Sequence, residues 1–236
     1  MLGRCWGART RKRPGVLVGT QVFIAIGNLL GRRWSSALRT QDIDVAVDPT
    51  IATALTSVTA DVHDAPDRPE MGFLPVPDLD PASPTTSYTV RRRGLRVGLI
   101  TPARGPSREL VSVPRFRAAG QPISHLAYLV RDPVSAAVVD GGATLVRVPD
   151  PARFALHKLL VSESRPVTEQ AKRQKDLEQS AQALEALFED RPGDVQRAWT
   201  DSQAEGRSGI KRVRRAVQAL RQLAPEVAAR LELHVE

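Results

Sequence analysis

The apolar period of this chain changes once, near residue 148, and that change constrains the fold more than any other feature. Before it, short apolar runs alternate with polar residues at period two and are broken by Gly, Pro and Asp. After it, apolar residues recur every three to four positions. The pattern therefore predicts a mixed α/β segment followed by a helical one. The 236 residues are long enough for a core in each.

In the first part, Val16-Leu17-Val18 reads as a buried strand ended by Gly19-Thr20, and Gln21–Leu30 as a helix stopped near Gly31. Between Asp42 and Asp48, Ile43, Val45 and Val47 alternate with Asp42, Asp44 and Asp48, the pattern of a half-buried strand. Thr50–Val58 is expected to be helical, and 61–84 a long loop with a short strand near Phe73-Leu74. Thr86–Val90, Leu95–Thr101 and Ser124–Val130 are read as strands. Gly141-Gly142 joins Ala136–Asp140 to Ala143–Val148 as a hairpin.

In the second part, Asp150 is placed to cap a helix that opens on Pro151. Further helices are expected over Thr168–Asp190, Asp194–Ala204, from Ser208, and from Pro225. The domain expectation is a basic, unstructured segment at 1–14, an α/β domain at 15–149 and a helical domain at 150–236.

Charge and cysteine narrow the function classes. The formal net charge is +8, and residues 1–41 carry eight basic side chains and no acid, while the remaining chain balances 26 against 26. A basic end attracts anions, so nucleic acid is an expected secondary partner of that segment. A single cysteine, Cys5, excludes an internal disulfide and a cysteine-based zinc site. The apolar run Val16–Leu30 imitates a secretory core, but it contains Thr20, Gln21 and Asn28 and falls short of the about 20 apolar residues a membrane span needs. A cytoplasmic protein with no membrane partner is expected.

Asp42 and Asp44, two apart on a strand, project from one face about 6.6 Å apart along it. Such a pair suits hard divalent cations, which prefer oxygen ligands. On its own, Asp-x-Asp is equally a solvated strand edge. Its setting carries more: a Gly19-Thr20 turn after a buried strand opens a helix, and a helix N-terminus offers backbone N–H groups to phosphate. Lys158 and Arg165 are seven apart, which places them on one helical face. Lys172 and Asp176, at i,i+4, are spaced to pair on a helix surface.

Strand, Gly-Thr turn, helix and an Asp-x-Asp strand together resemble the DNA polymerase β-like nucleotidyltransferase superfamily. The segments Val16-Leu-Val-Gly-Thr-Gln, Gly27-Asn-Leu-Leu-Gly, Leu38-Arg-Thr-Gln-Asp-Ile-Asp-Val-Ala, Val148-Pro-Asp-Pro-Ala-Arg-Phe-Ala-Leu-His-Lys and Lys172-Arg-Gln-Lys-Asp-Leu are similar to a family of bacterial nucleotidyltransferase-fold proteins with no assigned substrate. A more distant similarity extends to nucleotidyltransferase-like toxins. The resemblance implies an α+β fold, with a mixed sheet and flanking helices followed by a C-terminal helical lobe. It implies that Gly19 and Thr20 hold a triphosphate and that Asp42 and Asp44 bind Mg2+ and serve catalysis. It implies that Lys158, Arg165, Lys175 and Asp176 contribute to nucleotide binding.

One departure stands out. A third carboxylate is expected on a neighbouring strand, in the stretch matched here by Val97-Gly98-Leu99-Ile100-Thr101-Pro102, and Gly98 holds its place. Of the two Mg2+ ions such a fold uses, one is then expected to be weakened. An impaired transferase acting from NTP on an unidentified hydroxyl of RNA, protein or a small molecule, and an inactive nucleotide-binding module on the same fold, both fit the sequence.

Overall fold

The computed structural model describes residues 15–35, 42–47, 73–77, 83–90, 94–105, 109–113, 118–139 and 143–235. These fall into two compact units. One draws on Met1–Ala25 and Leu38–Val148, the other on Ile26–Ala37 and Pro149–Glu236. The expectations for 1–14, for a helix at Thr50–Val58, for 61–72 and 78–82 of the long loop and for the Gly141-Gly142 turn lie outside the described residues.

The first unit is built on a mixed sheet. Its strands are β1 (Gly15–Val18), β2 (Asp42–Val47), β3 (Phe73–Pro75), β4 (Ser87–Val90), β5 (Arg96–Pro102), β6 (Val111–Val113) and β7 (Ala118–Ile123). They run in the order β1-β2-β5-β4-β3, and β7 pairs with both β5 and β6. β1 is antiparallel to β2 and β4 to β5, whereas β2 and β7 each run parallel to β5. Val16, Leu17 and Val18 are all buried, so β1 is covered on both faces, as its unbroken apolar run requires. Along β2, Ile43, Val45 and Val47 are buried while Asp42 is exposed and Asp44 half-buried, the alternation the sequence shows, but Ala46 on the carboxylate face is buried too. A separate hairpin pairs β8 (Val134–Val139) with β9 (Ala143–Val148).

The stretch Ser124–Val130 corrects the sequence reading. It is a single helical turn, α2 (Leu126–Leu129), entered through His125 at φ +61°. The apolar side chains there, Leu126, Tyr128 and Leu129, are buried by the turn rather than by a strand. The strand instead precedes it as β7. Its Ala-Ala-Gly-Gln-Pro-Ile sequence has no period-two signal, and pairing with β5 and β6 makes it a strand.

Helix α1 (Thr20–Leu30) begins directly at the end of β1 and contributes to both units. In the second unit, α3 (Pro151–Ser162) opens as expected: Asp150 Oδ1 accepts from the N–H groups of Ala152 and Arg153 at 2.9 and 3.1 Å. It is followed by a 3-10 turn, Val167–Glu169, then by α4 (Gln170–Asp190), α5 (Pro192–Ser202), α6 (Gly206–Leu223) and α7 (Pro225–Val235). The buried side of α4 presents Leu177, Ala181, Leu184 and Phe188 at helical spacing. Ser180 Oγ donates to the Ala155 carbonyl of α3 at 3.0 Å, a contact that needs a small side chain at position 180. Arg32 forms ion pairs with Glu189 and Asp190 at the end of α4, and Ser35 N–H donates to Gln182 at 2.9 Å. No helix among the described residues is long and apolar enough to cross a membrane.

Candidate active site

Asp42 and Asp44 lie on the same face of β2, and three neighbouring elements define their surroundings. β1 ends beside Asp44, with Val18 as its registered partner. The chain then turns at Gly19, φ +77°, and enters α1 at Thr20. Only glycine takes that backbone conformation without strain. Space at this turn is as restricted as its torsion: a Cβ at position 19 would stand 2.8 Å from Asp44 Oδ2. The Asp44 carboxylate therefore sits against the turn that opens α1, where the helix dipole favours negative charge.

On the other side, β5 runs parallel to β2 with Asp42 beside Arg96 and Asp44 beside Gly98. A Cβ at Gly98 would lie 2.9 Å from Asp44 Oδ1. One carboxylate is thus flanked by two glycines, each leaving the room that one of its oxygens uses. The register also places position 98 next to Asp44 on the shared face, the place the resemblance gives to a third carboxylate. Beyond β5, β4 sets Ser87 opposite Gly98, and Arg96 Nη2 donates to Ser87 Oγ at 3.0 Å.

The donor chemistry of these residues is of the kind a divalent cation takes. Asp42 and Asp44 offer oxygen donors from one face, and the gap at Gly19 and Gly98 leaves space around the Asp44 oxygens. Two carboxylates fill part of the octahedral shell Mg2+ demands, and phosphate oxygens and water can complete it. No cluster of three or more His, Cys, Asp or Glu side chains suited to a metal is found among the described residues.

In the second unit, three of the other candidates converge. Asp176 on α4 is fully buried, and its carboxylate receives Lys158 Nζ at 2.7 Å and Arg165 Nε at 3.1 Å. This corrects the expected Lys172–Asp176 surface pair: Asp176 faces inward toward α3, and Lys172 turns to Glu169 at 2.6 Å. Arg165 also reaches Glu169 at 3.1 Å. Helix α3 ends at Ser162, so Arg165 meets Lys158 through their common carboxylate and not through a shared helical face. Lys158 lies over the Phe154 ring, 5.4 Å from its centroid. Burial holds the Lys158 ammonium below the ordinary lysine range, against the pull of Asp176. His157, beside it, is buried. Lys175 is half-exposed on α4. Sequence reasoning missed Arg96 and Ser87; the period-two spacing of Arg96 and Gly98 was the available signal.

A family model described as nucleotidyltransferase matches residues 6–204. The chain belongs to this nucleotidyltransferase family. The match takes in β1 through α5, while α6 and α7 lie beyond it. Nucleotidyl transfer from a nucleoside triphosphate is the family's general activity, and its members generally use divalent metals. No curated protein and no solved structure matches the chain.

Proposed function

We propose that this family member transfers a nucleotidyl group from an NTP to a hydroxyl acceptor in a Mg2+-dependent reaction at Asp42 and Asp44. The observation that carries the reading is the seat of Asp44, whose carboxylate fits between Gly19 at the head of α1 and Gly98 on β5, with Asp42 on the same face. In this reading the Gly19-Thr20 backbone receives the triphosphate, and Asp42 and Asp44 orient the cation that accompanies it. Mg2+ supplies Lewis-acid stabilisation of the phosphoryl oxygens and the leaving pyrophosphate. The acceptor oxygen bonds to the α-phosphorus, the bond from that phosphorus to the bridging oxygen breaks, and the hydroxyl proton passes to solvent. In the helical unit, Lys158 and Arg165 are held on the buried Asp176 carboxylate, and Lys175 is half-exposed. Asp176 acts as a positioning residue, because its buried carboxylate is engaged by two cations. In this reading 15–149 is the transfer part and 150–236 the helical part, with Ile26–Ala37 belonging to the helical unit.

Purified full-length chain, incubated with labelled NTPs, Mg2+ and cellular RNA, protein and small-molecule fractions, should label an acceptor. Asp42→Asn should abolish that labelling. Absence of labelling in every fraction counts against turnover.

Gly98 favours a second reading, an inactive nucleotide-binding module. NTP with Mg2+ should then stabilise the fold, by about 2.7 kcal/mol at a hundredfold excess over Kd, without forming product. Gly98→Asp is a demanding test of a lapsed site, because the new Cβ forces the Asp44 carboxylate to rotate.

A further inference from the structure

The register around Gly98 brings a cation into the carboxylate face. Along one row of the sheet stand Asp44, Gly98 and Ser87; along the next stand Asp42, Arg96 and Thr89. The five side chains and the Gly98 position share one face, since residues paired in register share a side. Arg96 therefore rises beside Asp42, and its guanidinium leans two residues along its own strand to reach Ser87 Oγ in the first row. Ser87 is buried, so that anchor point is fixed, whereas Arg96 itself is exposed. A Cβ at position 98 would meet Asp44 Oδ1 at 2.9 Å and no other atom of the described residues within 4 Å, so glycine leaves open space next to that oxygen.

We propose that Arg96 is an anion-binding residue of this site: its guanidinium takes a phosphate oxygen of the bound nucleoside triphosphate and does there what a second divalent cation would do, so that a single cation, on Asp42 and Asp44, accompanies the nucleotide. The proposal rests on the nucleotide-and-metal reading of Asp42 and Asp44. A guanidinium carries five N–H donors in a planar fork, and the hydrogen bond to Ser87 uses one. The others match the oxygens of a phosphate, for which the fork geometry is suited. The fixed positive charge in the row next to Asp44 opposes a further divalent cation there and attracts the phosphate chain. Gly98 suits the arrangement, because it leaves room beside the Asp44 oxygen in the row next to Arg96.

The competing explanation is a cross-strand pair in which Arg96 does no more than balance Asp42 and stabilise the sheet. Calorimetric titration of full-length wild type, Arg96→Met and Arg96→Lys with a non-hydrolysable NTP and Mg2+ separates the two. The proposal expects Arg96→Met to raise Kd about ten- to hundredfold, the equivalent of one charge-assisted hydrogen bond. Arg96→Lys, which keeps the charge and loses the fork, falls between. Electron paramagnetic resonance with Mn2+ in place of Mg2+ should count one bound ion per wild-type complex. Thermal melts of each variant establish that it is folded. An unchanged Kd in Arg96→Met alongside a lowered melting temperature establishes the sheet-stabilising role and overturns the proposal, as do two Mn2+ ions in the wild-type complex. If Asp44→Asn abolishes NTP binding while Arg96→Met leaves it intact, this proposal falls and the metal reading stands. If wild type itself binds no NTP, both fall.

Discussion

Gly19→Ala separates two effects that meet at one atom. The first is torsional: a Cβ at φ +77° costs about 1–2 kcal/mol for an L-residue in the left-handed region. The second is steric. The new Cβ lies 2.8 Å from Asp44 Oδ2, and an ordinary contact needs roughly 0.6 Å more, so the carboxylate must leave its rotamer at about 0.5–1.5 kcal/mol. Gly105→Ala is the control, because Gly105 has φ +73° and nothing within 4 Å of its Cβ position. Urea denaturation in chelator should show Gly105→Ala destabilised by about 1–2 kcal/mol and Gly19→Ala by about 0.5–1.5 kcal/mol more. In an Asp44→Ala background that excess should vanish, which a double-mutant cycle reads directly. In Mg2+, Gly19→Ala should also lose NTP affinity, and Gly105→Ala should keep it. Equal destabilisation by the two alanines, with no coupling to Asp44, would refute the claim that this turn is shaped around the Asp44 carboxylate.

Asp176→Asn should destabilise the helical unit by about 3–5 kcal/mol in denaturant titration, because it leaves Lys158 buried without its carboxylate. Lys158 has a folded pKa below its unfolded value of 10.5, so the unfolded chain binds the extra proton between the two values and stability rises with pH across that window. Lys158→Met should lack this rise when melting temperatures are compared from neutral pH upward. Asp150→Ala removes the acceptor for two N–H groups of α3 and should cost about 1 kcal/mol, or roughly 2–4 °C in melting temperature.

How much of this was legible depended on where the determining forces act. The β2 strand could be read because Ile43, Val45 and Val47 alternate with carboxylates, and the α3 start because Asp150 and Pro151 carry their own local signals. β7 could not be read. Its Ala-Ala-Gly-Gln-Pro-Ile sequence becomes a strand through partners on β5 and β6, distant in sequence. Leu126, Tyr128 and Leu129 looked like a strand because a single helical turn is too short to show a period. The Asp42/Asp44 face was legible as a pair, and the resemblance put Gly19 and Gly98 in its setting; that both glycines close on the one Asp44 carboxylate follows from β1 and β5 flanking β2. The burial of Asp176 was hidden for a similar reason. Residues 170–176 of α4 are largely polar, and only packing against α3 turns Asp176 inward to Lys158 while Lys172 faces Glu169.

The central claim is that Asp42 and Asp44 jointly hold a divalent cation at the head of α1. Anomalous diffraction from crystals grown with Mn2+ and a non-hydrolysable NTP tests it most directly. Mn2+ density should be bonded to both carboxylates and to phosphate oxygens, with the triphosphate against the Gly19-Thr20 backbone. Mn2+ and triphosphate bound elsewhere, with Asp42 and Asp44 contacting neither, would contradict it.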